Sequence, residues 1–395
     1  MRILFFTNEY AHKDLTPAGG VGTFFKIMTS ELTKRGHTVF IYGFSKKNFK
    51  IEDDEATIIF FKKYFKQYPL AELSRSVSSK LGLKKTSRYF VEKERKYLAK
   101  KLRNYAKTQD IDVIQSFTFS GFTAFWQNTI PLVTRFHGSR GFWENYLGDS
   151  GNFLKIEMEK KALEATPYTV ANSYFSADFI KEYYRVSVDT VIQNGINTKL
   201  FKPNNSVKTI EKSIFYFGTL SKAKGVDRLA QVFNAIVEKH PTATLHLIGK
   251  NESYFNFLKN DVFTEKATNN TTYYGPVVLE KIPAKLSQAS VIAVPSRGET
   301  FGFTIVEAMA MEKPTIVFNI PVSKEIITHK EDGLIANNKE EFITHIDQVF
   351  TNPQDYNSLK LNARKKVLAN FTQELMVEKS IKYYEHILGS KTLNQ

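Results

Sequence analysis

Short apolar runs alternate with stretches of helical spacing along this chain. The first run, Ile3-Leu-Phe-Phe, gives way to a turn-rich stretch from Glu9 to Gly22. Phe25, Met28 and Leu32 then recur at the spacing of one helix face, and Gly36 ends that pattern. Thr38-Val-Phe-Ile-Tyr follows at once. Two strands joined through a helix of this length predict a parallel βαβ unit. The rhythm returns at Asp112-Val-Ile-Gln-Ser-Phe, Pro131-Leu-Val-Thr-Arg-Phe and Tyr168-Thr-Val-Ala-Asn. After Val191-Ile-Gln-Asn-Gly, the polar stretch Lys202-Pro-Asn-Asn-Ser reads as a linker. A second series begins with Ile214-Phe-Tyr-Phe-Gly and continues at Thr244-Leu-His-Leu-Ile-Gly, Thr272-Tyr-Tyr-Gly, Val291-Ile-Ala-Val-Pro and Pro314-Thr-Ile-Val-Phe. Two consecutive βα series predict two doubly wound α/β domains. Ligands of such domains bind outside the carboxyl ends of the strands, here in the cleft between the two.

Composition narrows the classes. An apolar fraction of 42% and a charged fraction of 24% are ordinary for a globular chain. The absence of cysteine excludes disulfides, thiolate catalysis, Cys-ligated zinc and iron–sulfur clusters, and fits a reducing compartment. The N-terminal apolar run is too short for a signal-peptide core, and no run of about 18 apolar residues is present to span a bilayer. The expectation is a soluble cytoplasmic protein. Its net charge is +15, from 55 Lys and Arg against 40 Asp and Glu, so an anionic partner is expected: nucleic acid, lipid headgroups or a phosphorylated substrate. That charge is local. Residues 62–107 hold fifteen Lys and Arg against three acids, which is +12 of the +15.

Four segments can carry chemistry. Gly19-Gly-Val-Gly opens the first helix, where glycines let backbone N–H groups approach an anion and the helix N-terminus adds partial positive charge. A turn that merely needs small residues looks the same. It is not the dinucleotide fingerprint, because Phe25 stands where a third glycine belongs. Phe217-Gly-Thr-Leu-Ser-Lys-Ala-Lys-Gly-Val-Asp again runs from strand to helix, and Lys222 and Lys224 either flank a phosphate-sized anion or lie solvated in a loop. Pro295-Ser-Arg-Gly-Glu-Thr-Phe-Gly-Phe-Thr-Ile-Val-Glu is the most informative. A strand ends at Pro295, a turn carries Glu299, and a helix is expected from near Phe301. Glu307, two turns past Glu299, brings a second carboxylate to the strand ends. Paired carboxylates suit sugar and ribose hydroxyls, and the free N–H groups at Phe301 to Thr304 suit a diphosphate. In Thr134-Arg-Phe-His-Gly, His137 sits at a strand's carboxyl end with glycine after it; a packed or surface histidine is the plain alternative.

Together these segments resemble the retaining glycosyltransferases of family 4, with the GT-B architecture. The resemblance runs from Met1 to about Ala369 and is weak between about Phe44 and Asp110. It rests on Gly19-Gly-Val-Gly, Phe136-His-Gly, Gln193-Asn-Gly-Ile-Asn-Thr-Lys-Leu-Phe-Lys-Pro, Lys224-Gly-Val-Asp, Tyr274-Gly-Pro-Val and Glu299-Thr-Phe-Gly…Glu307-Ala-Met-Ala. It implies an N-terminal acceptor-binding domain (1–203, with a basic insertion at about 62–107), a C-terminal nucleotide-sugar domain (204–375), and a last helix (376–395) packing back on the N-terminal domain. The implied catalytic set is His137, Lys224 and Glu299. His137 would hydrogen-bond the transferring sugar, Lys224 neutralise the diphosphate, Glu299 touch sugar hydroxyls, and Glu307 hold the ribose. Gly19, Gly20, Gly218, Lys222, Thr300, Phe301, Gly302 and Phe303 complete the implied donor contacts. In one departure Thr219 stands where the family usually has Arg, leaving one cation unless Lys222 or Arg297 supplies the second. A diphosphate leaving group needs that charge.

The mechanism this implies breaks the anomeric C–O bond through an oxocarbenium-like state, with the acceptor entering from the leaving-group side. Its proton goes to the departing phosphate. Neither a protein base nor a metal is required, so no cofactor is expected, because the helix dipole and lysine supply the positive charge. Asp110-Ile-Asp112 resembles the metal-binding Asp-x-Asp of the other glycosyltransferase fold, yet it opens a predicted strand.

Between Pro69 and Lys107, Leu70, Leu73, Val77 and Leu81 form one helical stripe, and Val91, Leu98, Leu102 and Tyr105 another. Either the stripes pack on the sheet with the charges in water, or the segment meets a membrane surface or an anionic acceptor through Lys62, Lys63, Lys66, Lys84, Lys85, Lys100 and Lys101. The second reading adds a peripheral station at the inner face of the plasma membrane. Nucleic acid is disfavoured, since no recognised module is present. The leading expectation is transfer from a UDP-sugar to a cell-envelope glycan or glycolipid. Two others stand beside it: a nucleotide-sugar epimerase on the same architecture, whose acid/base pair is not identifiable here, and a non-catalytic binder of membranes or polyanions.

Overall fold

The computed structural model describes residues 1–15, 19–52, 54–148, 153–204 and 206–392. Asn205 of the expected linker and the last three residues of the expected C-terminal helix lie outside them. Two compact units result, one of residues 1–192 with the segment from Met376, the other of residues 193–375.

In the first unit, β1 (Arg2–Thr7) leads through α1 (Gly20–Lys34) to β2 (Thr38–Ser45), β3 (Phe49–Glu52) and β4 (Thr57–Lys62). Two helices, α2 (Pro69–Lys80) and α3 (Lys84–Thr108), precede β5 (Val113–Phe117) and β6 (Leu132–Arg135). Then come α4 (Phe153–Glu164), β7 (Thr169–Ala171) and β8 (Thr190–Val191). The sheet order is β3-β4-β2-β1-β5-β6-β7-β8, parallel except for β3 against β4. Ile3, Leu4, Phe5 and Phe6 are all buried, so β1 is covered on both faces; that is why it reads as an unbroken apolar run and not as an alternation. On one face α3 lays down Leu98, Leu102 and Ala106, and Tyr105 stacks on Tyr42 with ring centroids 4.1 Å apart. On the other face α1 buries Phe24, Phe25, Met28 and Leu32. The chain's last helix, Gln373–Thr392, joins this second face through Met376, Val377, Tyr384 and Ile387. Tyr384 Oη donates to Gln115 Oε1 at 2.5 Å.

The second unit holds β9 (Ser213–Phe217), α5 (Val226–Lys239), β10 (Thr244–Ile248), β11 (Thr271–Tyr273), β12 (Val291–Val294), α6 (Phe303–Ala310), β13 (Thr315–Phe318), β14 (Leu334–Ala336) and α7 (Asn357–Asn370). Its all-parallel order is β11-β10-β9-β12-β13-β14, so the winding reverses between β9 and β12. Such a switch point opens a crevice at the strands' carboxyl ends. The stretch 193–203 folds with this unit: Ile196 bridges to Thr372, Phe201 is buried, and Arg364 donates to the Phe201 carbonyl at 2.9 Å. The boundary therefore falls before the polar stretch expected to mark it. No helix among the described residues is long and apolar enough to cross a membrane.

Candidate active site

The switch point of the second unit gathers most of the expected donor contacts. Gly225 has φ +68°, and a Cβ there would lie 1.9 Å from the Pro295 carbonyl oxygen. Glycine thus lets the loop after β9 close on the end of β12. That closure brings Lys224 to Glu299, with Nζ donating to Oε1 at 2.6 Å. Ser296 Oγ donates to the same oxygen at 2.7 Å, and Glu299 is almost wholly buried. Gly218, at φ +135°, ends β9, and the carbonyl of the following Thr219 accepts from Tyr216 Oη at 2.9 Å.

Helix α6 starts at Phe303, two residues later than expected, with Gly302 as its cap at φ +90° and no side-chain cap. Among the described residues the amides of Phe301, Gly302, Phe303 and Thr304 donate to no acceptor. Orphan donors of this kind at a helix start favour an anion. The Phe301 ring is buried against Phe371, centroids 5.9 Å apart, and so anchors the turn. Thr300 lies between Glu299 and Phe301 in the same turn.

Glu307 is half-buried on α6, and no hydrogen bond or ion pair closes on its carboxylate among the described residues. Burial pushes its carboxyl up to about 8, with the charge of Lys224 pulling the other way. Arg297 is committed elsewhere. It grips Asp227 in a bidentate pair at 2.6 and 2.7 Å and donates to the Lys222 carbonyl at 2.5 Å. Lys222 itself is exposed.

In the first unit, the ends of β1, β5 and β6 surround a cavity of about 250 Å³ lined by Asn8, Glu9, Val21, Phe117, Phe119, His137, Gly138 and Trp143. His137 meets the edge of Phe24 with ring centroids 4.4 Å apart. Burial first, and the nearby Arg135 second, hold its pKa well below the usual histidine value, so the ring is neutral at pH 7. A neutral imidazole hydrogen-bonds a hydroxyl; it does not supply a cation. Arg135 is fully buried, pulled down to about 10 by that burial, and donates to the Ile192 carbonyl at 2.6 Å.

Sequence reasoning missed two carboxylates here. Glu9 accepts from the amides of Gly19 (3.1 Å) and Gly22 (3.0 Å), so the start of α1 already holds a negative charge from its own chain. Nothing lies within 4 Å of a Cβ built on Gly20, leaving that backbone open to approach. Buried Glu159 on α4 accepts from Ser120 N (2.8 Å), Arg140 N (2.9 Å) and Tyr184 Oη (2.7 Å). It pins the loop that follows His137. An acid among the buried Met158, Ala162 and Leu163 was the available signal. Asp112 of Asp110-Ile-Asp112 accepts from the Arg2 amide at 2.7 Å, an intrachain task at the start of β1.

The basic segment does not form one patch. Lys84 and Lys85 open α3, and Lys100 and Lys101 lie about 24 Å further along it at 1.5 Å per residue. Lys62, Lys63 and Lys66 lie at the end of β4 and just beyond it. The two stripes part company: Leu98 and Leu102 are buried, whereas Leu70, Leu73, Val77 and Leu81 face solvent.

Residues 18–200 match the Glycosyltransferase Family 4 family, and residues 197–366 match Glycosyl transferases group 1. An uncharacterized glycosyltransferase of Haemophilus influenzae is 25% identical over 62% of this chain and 68% of its own length. Other curated relatives are matched over about half of theirs, 51% and 53%. The sucrose-phosphate synthase of Thermosynechococcus elongatus superposes with a TM-score of 0.76 at 18% identity, covering 98% of this chain and 99% of that one. Anabaena Alr3699/HepE in complex with UDP-glucose superposes at 0.69 and 18% identity, covering 99% of this chain and 100% of that one. With two consecutive family matches reaching from residue 18 to residue 366 over two doubly wound units, the chain belongs to the family-4 type of GT-B glycosyltransferases.

Proposed function

We propose that the protein transfers a sugar from a nucleotide-sugar donor, a UDP-sugar, to a cell-envelope glycan or glycolipid, with retention at the anomeric carbon and without a metal. The observation that carries this is the Lys224–Glu299 pair at 2.6 Å beside the uncapped start of α6. A diphosphate seated there meets a cation and a row of backbone donors, and both stabilise the charge that develops as the leaving group departs. Lys222 is the second cation, since Arg297 is held by Asp227. Glu299 and Glu307 accept hydrogen bonds from the sugar and the ribose. Neutral His137 hydrogen-bonds the transferring sugar. Glu9 disfavours an anion at the start of α1, so Gly20 meets the sugar side of the donor and not its phosphates. As the anomeric C–O bond breaks, the acceptor oxygen bonds to the anomeric carbon on the same face and its proton passes to the departing phosphate.

The bound UDP-glucose in Alr3699/HepE supports the choice of donor. The test incubates the protein with a panel of nucleotide sugars, follows nucleoside diphosphate release with and without glycan and glycolipid acceptors, and assigns the product anomer by NMR. UDP release that depends on acceptor, with retained configuration and unchanged by chelator, is the expected result. Release that is undiminished in both Lys224→Ala and Glu307→Ala would overturn the reading, as would an inverted product or an epimerised donor.

A further inference from the structure

We propose that α2 and the turn after it dock on an anionic bilayer surface, with the helix axis in the membrane plane. This docking does not depend on the transfer chemistry. Leu70, Leu73, Val77 and Leu81 recur at intervals of three and four, so they line one face of this helix and its C-terminal turn. They are 80%, 62%, 46% and 67% exposed, while Ser78 is turned inward and buried. The amphipathic order of a surface helix is thus inverted: the polar and small side faces the protein and the leucines face out. Beyond the turn, Leu83 and Tyr89 continue the exposed apolar surface.

Charge selects the occupant. Residues 66–88 contain six Lys and Arg and a single acid, Glu72, which Lys66 already pairs at 3.4 Å. Lys80, Lys84 and Lys85 are exposed around the apolar stripe. A second copy of the chain would bring like charges together. A soluble polyanion would use the lysines and leave the leucines in water. An anionic bilayer satisfies both sets, taking the leucines into the acyl boundary and the ammonium groups to the phosphates.

The experiment uses the full chain with phosphatidylcholine vesicles, with and without an equal share of phosphatidylglycerol, and reads co-sedimentation at low and moderate salt. Wild-type protein is expected to bind the anionic vesicles, weakening with salt, and to ignore the neutral ones. Leu70→Ser/Leu73→Ser is expected to weaken partition by roughly thirtyfold or more. Lys84→Ser/Lys85→Ser is expected to weaken it by about 25-fold. All four substituted side chains lie at exposed positions, and unchanged circular-dichroism melts identify the variants as folded. No binding to anionic vesicles overturns the proposal. Equal binding by the leucine variant also overturns it, as does a wild-type dimer in sedimentation equilibrium that the leucine variant abolishes. Nucleotide-sugar binding, followed by thermal shift on the same proteins, tests the donor site separately; its failure leaves the vesicle result standing.

Discussion

Glu307→Gln separates the electrostatics of the donor site from its shape. The folded protein holds the Glu307 carboxyl at about 8, against 4.5 for a free side chain. An acid with a raised folded-state pKa binds its proton more tightly when folded. Its contribution to stability is therefore full below pH 4.5, declines as pH rises, and is lost once pH passes about 8. Glutamine is close in shape to the neutral acid and does not titrate. The gap between 4.5 and 8 corresponds to a ceiling of about 5 kcal/mol. Glu307 keeps part of its surface in water, and screening there reduces the expected difference to about 2–3 kcal/mol. For a unit of this size, that is a shift of about 4–12 °C in melting temperature. Scanning calorimetry of both proteins at about pH 4 and about pH 9 should show equal stability at the low end and a more stable variant at the high end. In the wild type, UDP binding should tighten as pH rises through this range, because ribose hydroxyls favour the ionised carboxylate; in the variant it should stay flat. Melting curves that run parallel from acid to alkali would refute the reasoning.

Three further outcomes are expected. Lys224→Ala should lower kcat by about 100- to 1000-fold with a smaller change in KM, as measured by acceptor-dependent diphosphate release. Gly225→Ala should cost at least about 2 kcal/mol in denaturant titration, since a Cβ would sit 1.9 Å from the Pro295 oxygen at φ +68°. Glu159→Ala strands the Ser120 and Arg140 amides and the Tyr184 hydroxyl; at about 1–3 kcal/mol for each unsatisfied donor it should destabilise the first unit by at least about 3 kcal/mol, visible in its calorimetric transition.

The strands at β1, β2, β5, β6, β9, β10, β12 and β13 were legible because a parallel sheet covered on both faces leaves continuous apolar runs. β3, β4 and β14 went unnamed: β3 has a partly exposed, alternating pattern, and β14 has three residues. Glu299 and Lys224 could be picked out because strand–turn–helix segments carry their own punctuation. Their mutual contact was not legible, since it spans 75 positions and depends on Gly225 closing against Pro295. Glu9 and Glu159 escaped for a related reason. Their partners are backbone amides and, for Glu159, the Tyr184 hydroxyl 25 positions away; an apolar setting could mark Glu159 as buried, but no sequence signature ties either acid to those partners. The stripe at Leu70 to Leu81 was visible in the sequence, but spacing alone assigns a stripe to a face without saying which way that face points.

The last helix also governs how the chain can be made. Met376, Val377, Tyr384 and Ile387 complete a core whose other members lie before residue 193. During synthesis the second unit has all its residues by position 375, whereas the earlier-made unit waits for a helix translated after it. Vectorial folding is therefore reversed: the half translated first is finished last. An excised N-terminal fragment ending at 192 would expose the surface that this helix covers, whereas residues 193–375 can be expressed as a continuous piece.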